Sequence, residues 1–151
     1  MVTDHIEREI VINAPVQRVW ELVTEPEHVG RWFGDAGAEV DLRPGGAMVL
    51  RWTDSGATRG RIVAVEPRTR FSYRWAPFKE PGGEEPVEGN STLVEFTLQP
   101  EGDGTRLRVV ESGFATLATS EAQRAENHKG NSAGWRQELD ELREYAEKVA
   151  A

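Results

Sequence analysis

The sequence predicts an α+β fold: an antiparallel sheet of about six or seven strands, two short helices after the first strand and one long C-terminal helix. Three observations carry this. From Ala38 to Gly113 apolar residues recur with period two, broken by turn residues and with no helical pattern between them. Between Pro15 and Trp32 they recur at helical spacing. From Trp135 onward a stripe of Trp135, Leu139, Leu142, Ala146 and Val149 is faced by Arg136, Glu138, Asp140, Glu141 and Glu144, the pattern of an amphipathic helix with one buried side.

Taken in order, Ile6, Ile10 and Ile12 alternate with charged residues, which predicts a strand from His5 to Ile12. Pro15 suits the first turn of a helix, where its missing N–H is not needed. Val16, Val19, Trp20 and Val23 follow on one helical face. Thr24 and Glu27 match a capping box, so a second short helix is expected to run to about Trp32, separated from the first by Pro26. Val40 and Leu42 belong to one strand, and Met48, Leu50 and Trp52 to the next. Residues 53–56 form a turn. Arg61 to Val65 is a strand ending before Pro67. Phe71, Tyr73 and Trp75 alternate, as do Val94, Phe96 and Leu98; after a turn at 101–104, Leu107, Val109 and Glu111 make the last strand. Residues 76–90, rich in proline, glycine and glutamate, are too long for a hairpin connection and are expected to be a lid or disordered. Ser120 and Gln123 form a second candidate capping box, and a helix from about Ser120 to Val149 would span roughly 45 Å. The alternative is a helix beginning only near Ser132, with Gly130 and Gly134 in a loop.

The chain has 151 residues, one domain's worth, and a formal net charge of −8. That acidity argues against a nucleic-acid footprint and against an anionic membrane surface. Cysteine is absent, which excludes disulfides and thiolate metal sites. The three histidines, His5, His28 and His128, make no His-x-x-x-His pair, and no metal or cofactor is expected. With no signal-peptide pattern at the N-terminus and no apolar run of spanning length, a soluble cytoplasmic protein is expected. Arginine far outnumbers lysine, the bias of a GC-rich bacterial genome.

Residues 41–46, DLRPGG, raise the question of a phosphate-binding loop. Such a loop leads into a helix N-terminus. Here AMVLRW follows and alternates as a strand, so the segment reads as a turn.

The order INAPVQRVWELVTEPEHVGRWF, DLRPGG, GRIVAVEP, FSYRW, TRLRVVESGF and GWRQELDELREY resembles the SRPBCC (START/Bet v-like) superfamily. Within it, the chain is most similar to the homologues of the heat shock protein 90 ATPase activator. The resemblance covers nearly the whole chain. It implies a helix-grip fold, a curved sheet wrapped around the long helix, with a cavity between them. The eukaryotic activators carry an additional N-terminal domain; with the first strand expected at about His5, none is expected here, which counts against a chaperone role.

Aromatic residues on the inward faces, Trp52, Tyr73, Trp75 and Phe96, would line that cavity together with Trp32 and Trp135, or else fill the core. Glu111 shares the parity of Leu107 and Val109 and is expected to point inward, unless a bulge after Val110 turns it out. Buried, it needs a partner; the candidates are Arg61, Arg74, Tyr73 and His128. His128 lies one stripe before Trp135, and the two helix glycines would leave room for a ligand or allow a kink. The expected function is binding of a hydrophobic small molecule, aromatic or lipid-like, oriented by Glu111, His128 or Tyr73. The alternatives are a cyclase- or hydrolase-type enzyme in the same cavity, a protein-interaction module acting on a chaperone, and drug sequestration as in the self-sacrifice resistance proteins of enediyne producers. No conventional catalytic set is present, so the sequence does not by itself make an enzyme.

Overall fold

The alternation along the middle of the chain becomes one continuous sheet. The structure, a computed structural model, describes residues 4–34, 36–53, 56–76, 86–87 and 89–150, with side chains described up to Lys148. The elements are β1 (His5–Ile12), α1 (Val16–Thr24), α2 (Pro26–Trp32), β2 (Ala38–Val40), β3 (Ala47–Trp52), β4 (Gly56–Glu66), β5 (Arg70–Trp75), β6 (Thr92–Glu101), β7 (Gly104–Ser112), a 3-10 turn (Phe114–Thr116) and α3 (Glu121–Ala150). The seven strands lie in the order β1-β7-β6-β5-β4-β3-β2, and each neighbouring pair is antiparallel. The expected α+β, helix-grip architecture is therefore present.

One sheet face is apolar and the other charged. Ile6, Ile62, Phe71, Val94, Phe96, Leu98, Leu107 and Val109 are buried on the inner face. The outer face carries cross-strand ion pairs, among them Glu7 with Arg108 and Glu9 with Arg106. Against the inner face lies α3, 30 residues long, about 45 Å at 1.5 Å per residue. Its stripe Trp135, Leu139, Leu142 and Ala146 is buried; each larger side chain contributes roughly 1.5–3 kcal/mol by leaving water. Arg8 donates from its Nη2 to the Ser132 hydroxyl at 2.8 Å, tying α3 to β1. His28 and Tyr145 share a 2.7 Å hydrogen bond that ties it to α2.

Several local expectations are corrected. The Thr24–Glu27 capping box does not form: the Thr24 hydroxyl donates back to the Trp20 carbonyl at 2.7 Å. The N-cap of α2 is Glu25, with Pro26 in its first turn and no side-chain cap; a threonine in the last turn of one helix cannot also open the next. Leu42 lies beyond β2 and is exposed. β4 begins at Gly56, five residues before the expected start at Arg61. The second capping box forms by half: the Gln123 N–H donates to Ser120 Oγ at 3.1 Å, while the Gln123 amide donates to Asn127 instead. The long helix, by contrast, runs as expected from Glu121, with Gly130 and Gly134 inside it, so the alternative of a loop before Ser132 does not hold. Most of 76–90 falls outside the described residues, as do Asp54 and Ser55 of the turn at 53–56.

The DLRPGG segment is a turn, as expected. Gly45 takes φ +83°, a left-handed conformation that costs other residues about 1–2 kcal/mol. The turn is fastened to β4 from both sides: Gly45 N–H donates to the Ile62 carbonyl at 2.7 Å, and Ile62 N–H to the Gly46 carbonyl at 2.8 Å.

Candidate functional site

The inner face converges on one carboxylate. β7 runs unbroken through Glu111, which pairs with Ile6 on one side and Val94 on the other, so no bulge turns it outward. Its side chain is fully buried. Trp75 Nε1 donates to Oε2 at 2.8 Å and the Thr92 hydroxyl to the same oxygen at 2.5 Å. Trp135 Nε1 donates to Oε1 at 2.8 Å, and the Asn131 amide reaches both oxygens at 3.0 Å. Three adjacent strands and two residues one helical turn apart on α3 thus close on a single group.

All four donors are neutral. A buried charge is tolerated when fixed dipoles replace the water it has lost. A carboxylate has about four lone-pair sites, and these donors fill them. Glu111 thereby holds the two indoles in place.

None of the four partners expected for Glu111 serves as one. Arg61 and Arg74 are paired across β4 and β5 and are both exposed; inward Trp75 forces its neighbour Arg74 outward. His128 Nε2 donates to the His5 carbonyl at 3.0 Å, and its ring lies edge-on to Phe114. It sits toward the 3-10 turn, away from the carboxylate. The Tyr73 hydroxyl is buried and makes no hydrogen bond among the described residues.

Burial holds the Tyr73 phenol well above its usual range, and the charges of Glu111 and then Glu138 push it further. An acid whose pKa is raised by folding contributes stability that is fully present below the unfolded value near 10 and is lost progressively as pH rises from there through the raised folded value. Tyr73→Phe removes a hydroxyl that makes no hydrogen bond among the described residues, so it is expected to be neutral or stabilising at pH 7. It is also expected to flatten the alkaline loss of stability between about pH 10 and 11, by up to about 1.4 kcal/mol per pH unit. Urea denaturation of both proteins across that range checks both.

Above the carboxylate, between α3 and the β3–β5 end of the sheet, opens a cleft of about 130 Å³. Its walls are Phe33, Trp52, Trp75 and Trp135, and α3 presents Gly130 and Gly134 to it. Phe33 is the hub: its ring centroid is 5.3 Å from Trp135, 5.6 Å from Trp75 and 6.2 Å from Trp52. Thr58, Asn131 and Glu138 supply polar atoms at the edge. A built Cβ at either helix glycine meets nothing within 4 Å. A second groove, of about 310 Å³, lies on the outer sheet face. Its charged residues, Glu7, Glu9, Arg106 and Arg108, already pair with one another.

Of the residues singled out from sequence, Trp52, Trp75 and Trp135 wall the cleft and Glu111 lies beneath it. Tyr73 and Phe96 are packed in the core beside it. Trp32 is buried and donates to the Leu22 carbonyl at 2.7 Å, while its neighbour Phe33 takes the cleft wall. Sequence reasoning missed Phe33 and Thr92. Register signals Thr92, since it pairs with Trp75 and lies on the face of Val94. Glu25, Glu27 and His28 bring ligand-type atoms within 4.8 Å of one another at the surface, a grouping the sequence reading did not single out. His28 Nδ1 there is already bonded to Tyr145.

Comparison with known proteins adds the following. The family described as activator of Hsp90 ATPase homolog 1-like protein matches residues 13–147. Among solved structures, DynU16, from the dynemicin biosynthetic locus, is 26% identical with a TM-score of 0.75; the match covers 98% of this chain but 49% of DynU16. The chain thus spans about half the length of that relative. CalU16 from Micromonospora echinospora is 30% identical, TM-score 0.68, covering 94% of this chain and 75% of that one. Protein MLL2253 from Mesorhizobium loti shares the fold at 23% identity, TM-score 0.77, over 97% and 99% of the two chains. No curated protein matches the chain. Among the described residues, no helix is long and apolar enough to cross a membrane.

Proposed function

Since the chain belongs to the family of activator of Hsp90 ATPase homolog 1-like proteins, we propose that it binds a small molecule with an apolar or aromatic body in the cleft between α3 and the sheet. The observation that carries this is the pair of glycines in α3. Each helix-interior glycine is destabilising by roughly 0.8–1 kcal/mol relative to alanine, and at Gly130 and Gly134 a methyl group would meet nothing. Stability alone favours alanine at both positions. What glycine preserves is the open space against Trp135 and Trp52, and stability forgone at one place commonly marks function there. The hydrogen bonding of Glu111 supports binding, because it commits the carboxylate beneath the cleft to holding its aromatic walls.

The test uses two variants that should both fold. Gly134→Ala is expected to raise stability by about 0.5–1 kcal/mol, read by thermal melting. Gly134→Leu is expected to fill the cleft. Native mass spectra of protein purified from its own host should then show a bound mass on the wild type and none on the leucine variant. A bound mass that survives Gly134→Leu would remove the cleft as its seat.

A second reading is sequestration of a natural product, a particular case of the same binding. The likeness to DynU16, a protein of the dynemicin biosynthetic locus, favours it.

A further inference from the structure

Resting on the reading of the cleft as a ligand site, we infer that its ligand carries a compact positive charge: a protonated or quaternary amine held in an aromatic cage. The walls are the starting point. Four aromatic rings, Phe33, Trp52, Trp75 and Trp135, border one small space, and a cation is attracted to the electron-rich face of such rings, tryptophan most strongly.

Two of the indoles are further biased. The N–H groups of Trp75 and Trp135 both donate to Glu111, so neither remains as a donor for a ligand. What these two rings offer a ligand is π surface. A hydrogen bond to an anion also polarises its donor, which makes these two rings more electron-rich and better hosts for a cation.

The polar atoms at the edge point the same way. The Asn131 amide nitrogen is used on Glu111, which leaves its oxygen as an acceptor. Glu138 brings a carboxylate to the cleft border. The Glu111 charge beneath is met by neutral donors alone, so its field is not cancelled by a cation among them. The position of the Tyr73 phenol is consistent with this: after burial, the charges of Glu111 and Glu138 both raise it. An aromatic cleft edged by acceptor oxygens disfavours carboxylates and phosphates and selects for an ammonium group. The size agrees as well. The cleft is about 130 Å³, close to the roughly 150 Å³ cavity that accepts a benzene ring, and so suits a group of trimethylammonium dimensions.

The experiment compares two probes of one shape: choline, and 3,3-dimethylbutan-1-ol, in which carbon replaces the charged nitrogen. Binding is followed by tryptophan fluorescence and calorimetry on the full chain, with Gly134→Leu as the filled-cleft control. Choline is expected to bind at least tenfold more tightly than the alcohol. Glu138→Gln is expected to weaken choline several-fold while leaving the alcohol unchanged, and Gly134→Leu to abolish both. If the alcohol binds as well as choline, or better, the cationic class is overturned while the cleft stands as a ligand site. If neither binds, the ammonium inference is overturned, and the native mass spectra of wild type and Gly134→Leu decide the ligand reading separately.

Discussion

Glu111→Gln is expected to destabilise the protein by about 3 kcal/mol, a large share of the 5–15 kcal/mol that holds a domain folded. The two side chains have nearly the same shape, so packing is kept and only hydrogen bonding changes. Each Glu111 oxygen meets an indole: Trp135 on one side, Trp75 on the other. An amide has one oxygen and one NH2 group. Whichever way it turns, the NH2 faces an indole N–H, and that donor is left buried without an acceptor. The orphaned donor costs about 1–3 kcal/mol, and replacing charged by neutral hydrogen bonds at the other donors adds a similar amount. Urea unfolding should show a lower midpoint with an unchanged slope. A cost below about 1 kcal/mol would mean that the clamp adds little to stability, and the account of Glu111 as the fixer of the two indoles would fail. Conversion to alanine should cost more, since both indoles, Thr92 and Asn131 all lose their acceptor.

The second large effect is at Gly46. A methyl group there would sit 2.0 Å from the Asp41 carbonyl oxygen and 2.9 Å from that of Arg43. Both obstacles are backbone atoms of the same turn, so no side chain can step aside. Relieving the clash means opening the turn and giving up the bonds that join it to Ile62. Overpacking in a yielding core costs about 1–3 kcal/mol; here nothing yields, and Gly46→Ala is expected to exceed 3 kcal/mol or to prevent folding. Gly45→Ala is the informative contrast. Its φ is positive, but the space around it is open, so only the conformational cost of about 1–2 kcal/mol applies. Thermal melts of the two variants side by side check the order. Equal losses would show that backbone conformation, not contact, makes both positions glycine.

The sheet and its helix were legible because their signals are periodic and local. Alternation placed Phe71, Tyr73, Trp75, Val94 and Phe96 on the buried face, and the same parity put Glu111 inside. The partners of Glu111 were not legible in the same way. They come from β5, β6 and α3, and which residues meet depends on how strands on either side of residues 76–90 align. Parity did hold the information that Arg74 cannot share a face with Trp75, and that Arg61, paired opposite Arg74, shares its outward side; charge complementarity was the weaker guide. A search for cations also overlooks the chemistry used here, since indole and amide N–H groups solvate a carboxylate without carrying charge. Phe33 was missed for a simpler reason. It lies just past the end of α2, where one residue of rotation decides whether Trp32 or Phe33 faces the cleft.

The convergence of β5, β6, β7 and α3 on one carboxylate also sets how the molecule opens. If the middle of α3 lifted away alone, Trp135 and Asn131 would leave Glu111 with half its donors, its charge stranded against an apolar sheet. Such a half-open state is far costlier than fraying at either end of the helix. The centre of α3 and the centre of the sheet therefore belong to one cooperative unit that opens together or not at all. Toward the two ends of the helix the ties are single hydrogen bonds, such as those of His128 and Tyr145, and these ends remain separate and softer. A cleft seated over the cooperative unit keeps its shape while the rest of the molecule breathes, so the proposed ligand would meet walls already in place and give up little of its binding energy to order them.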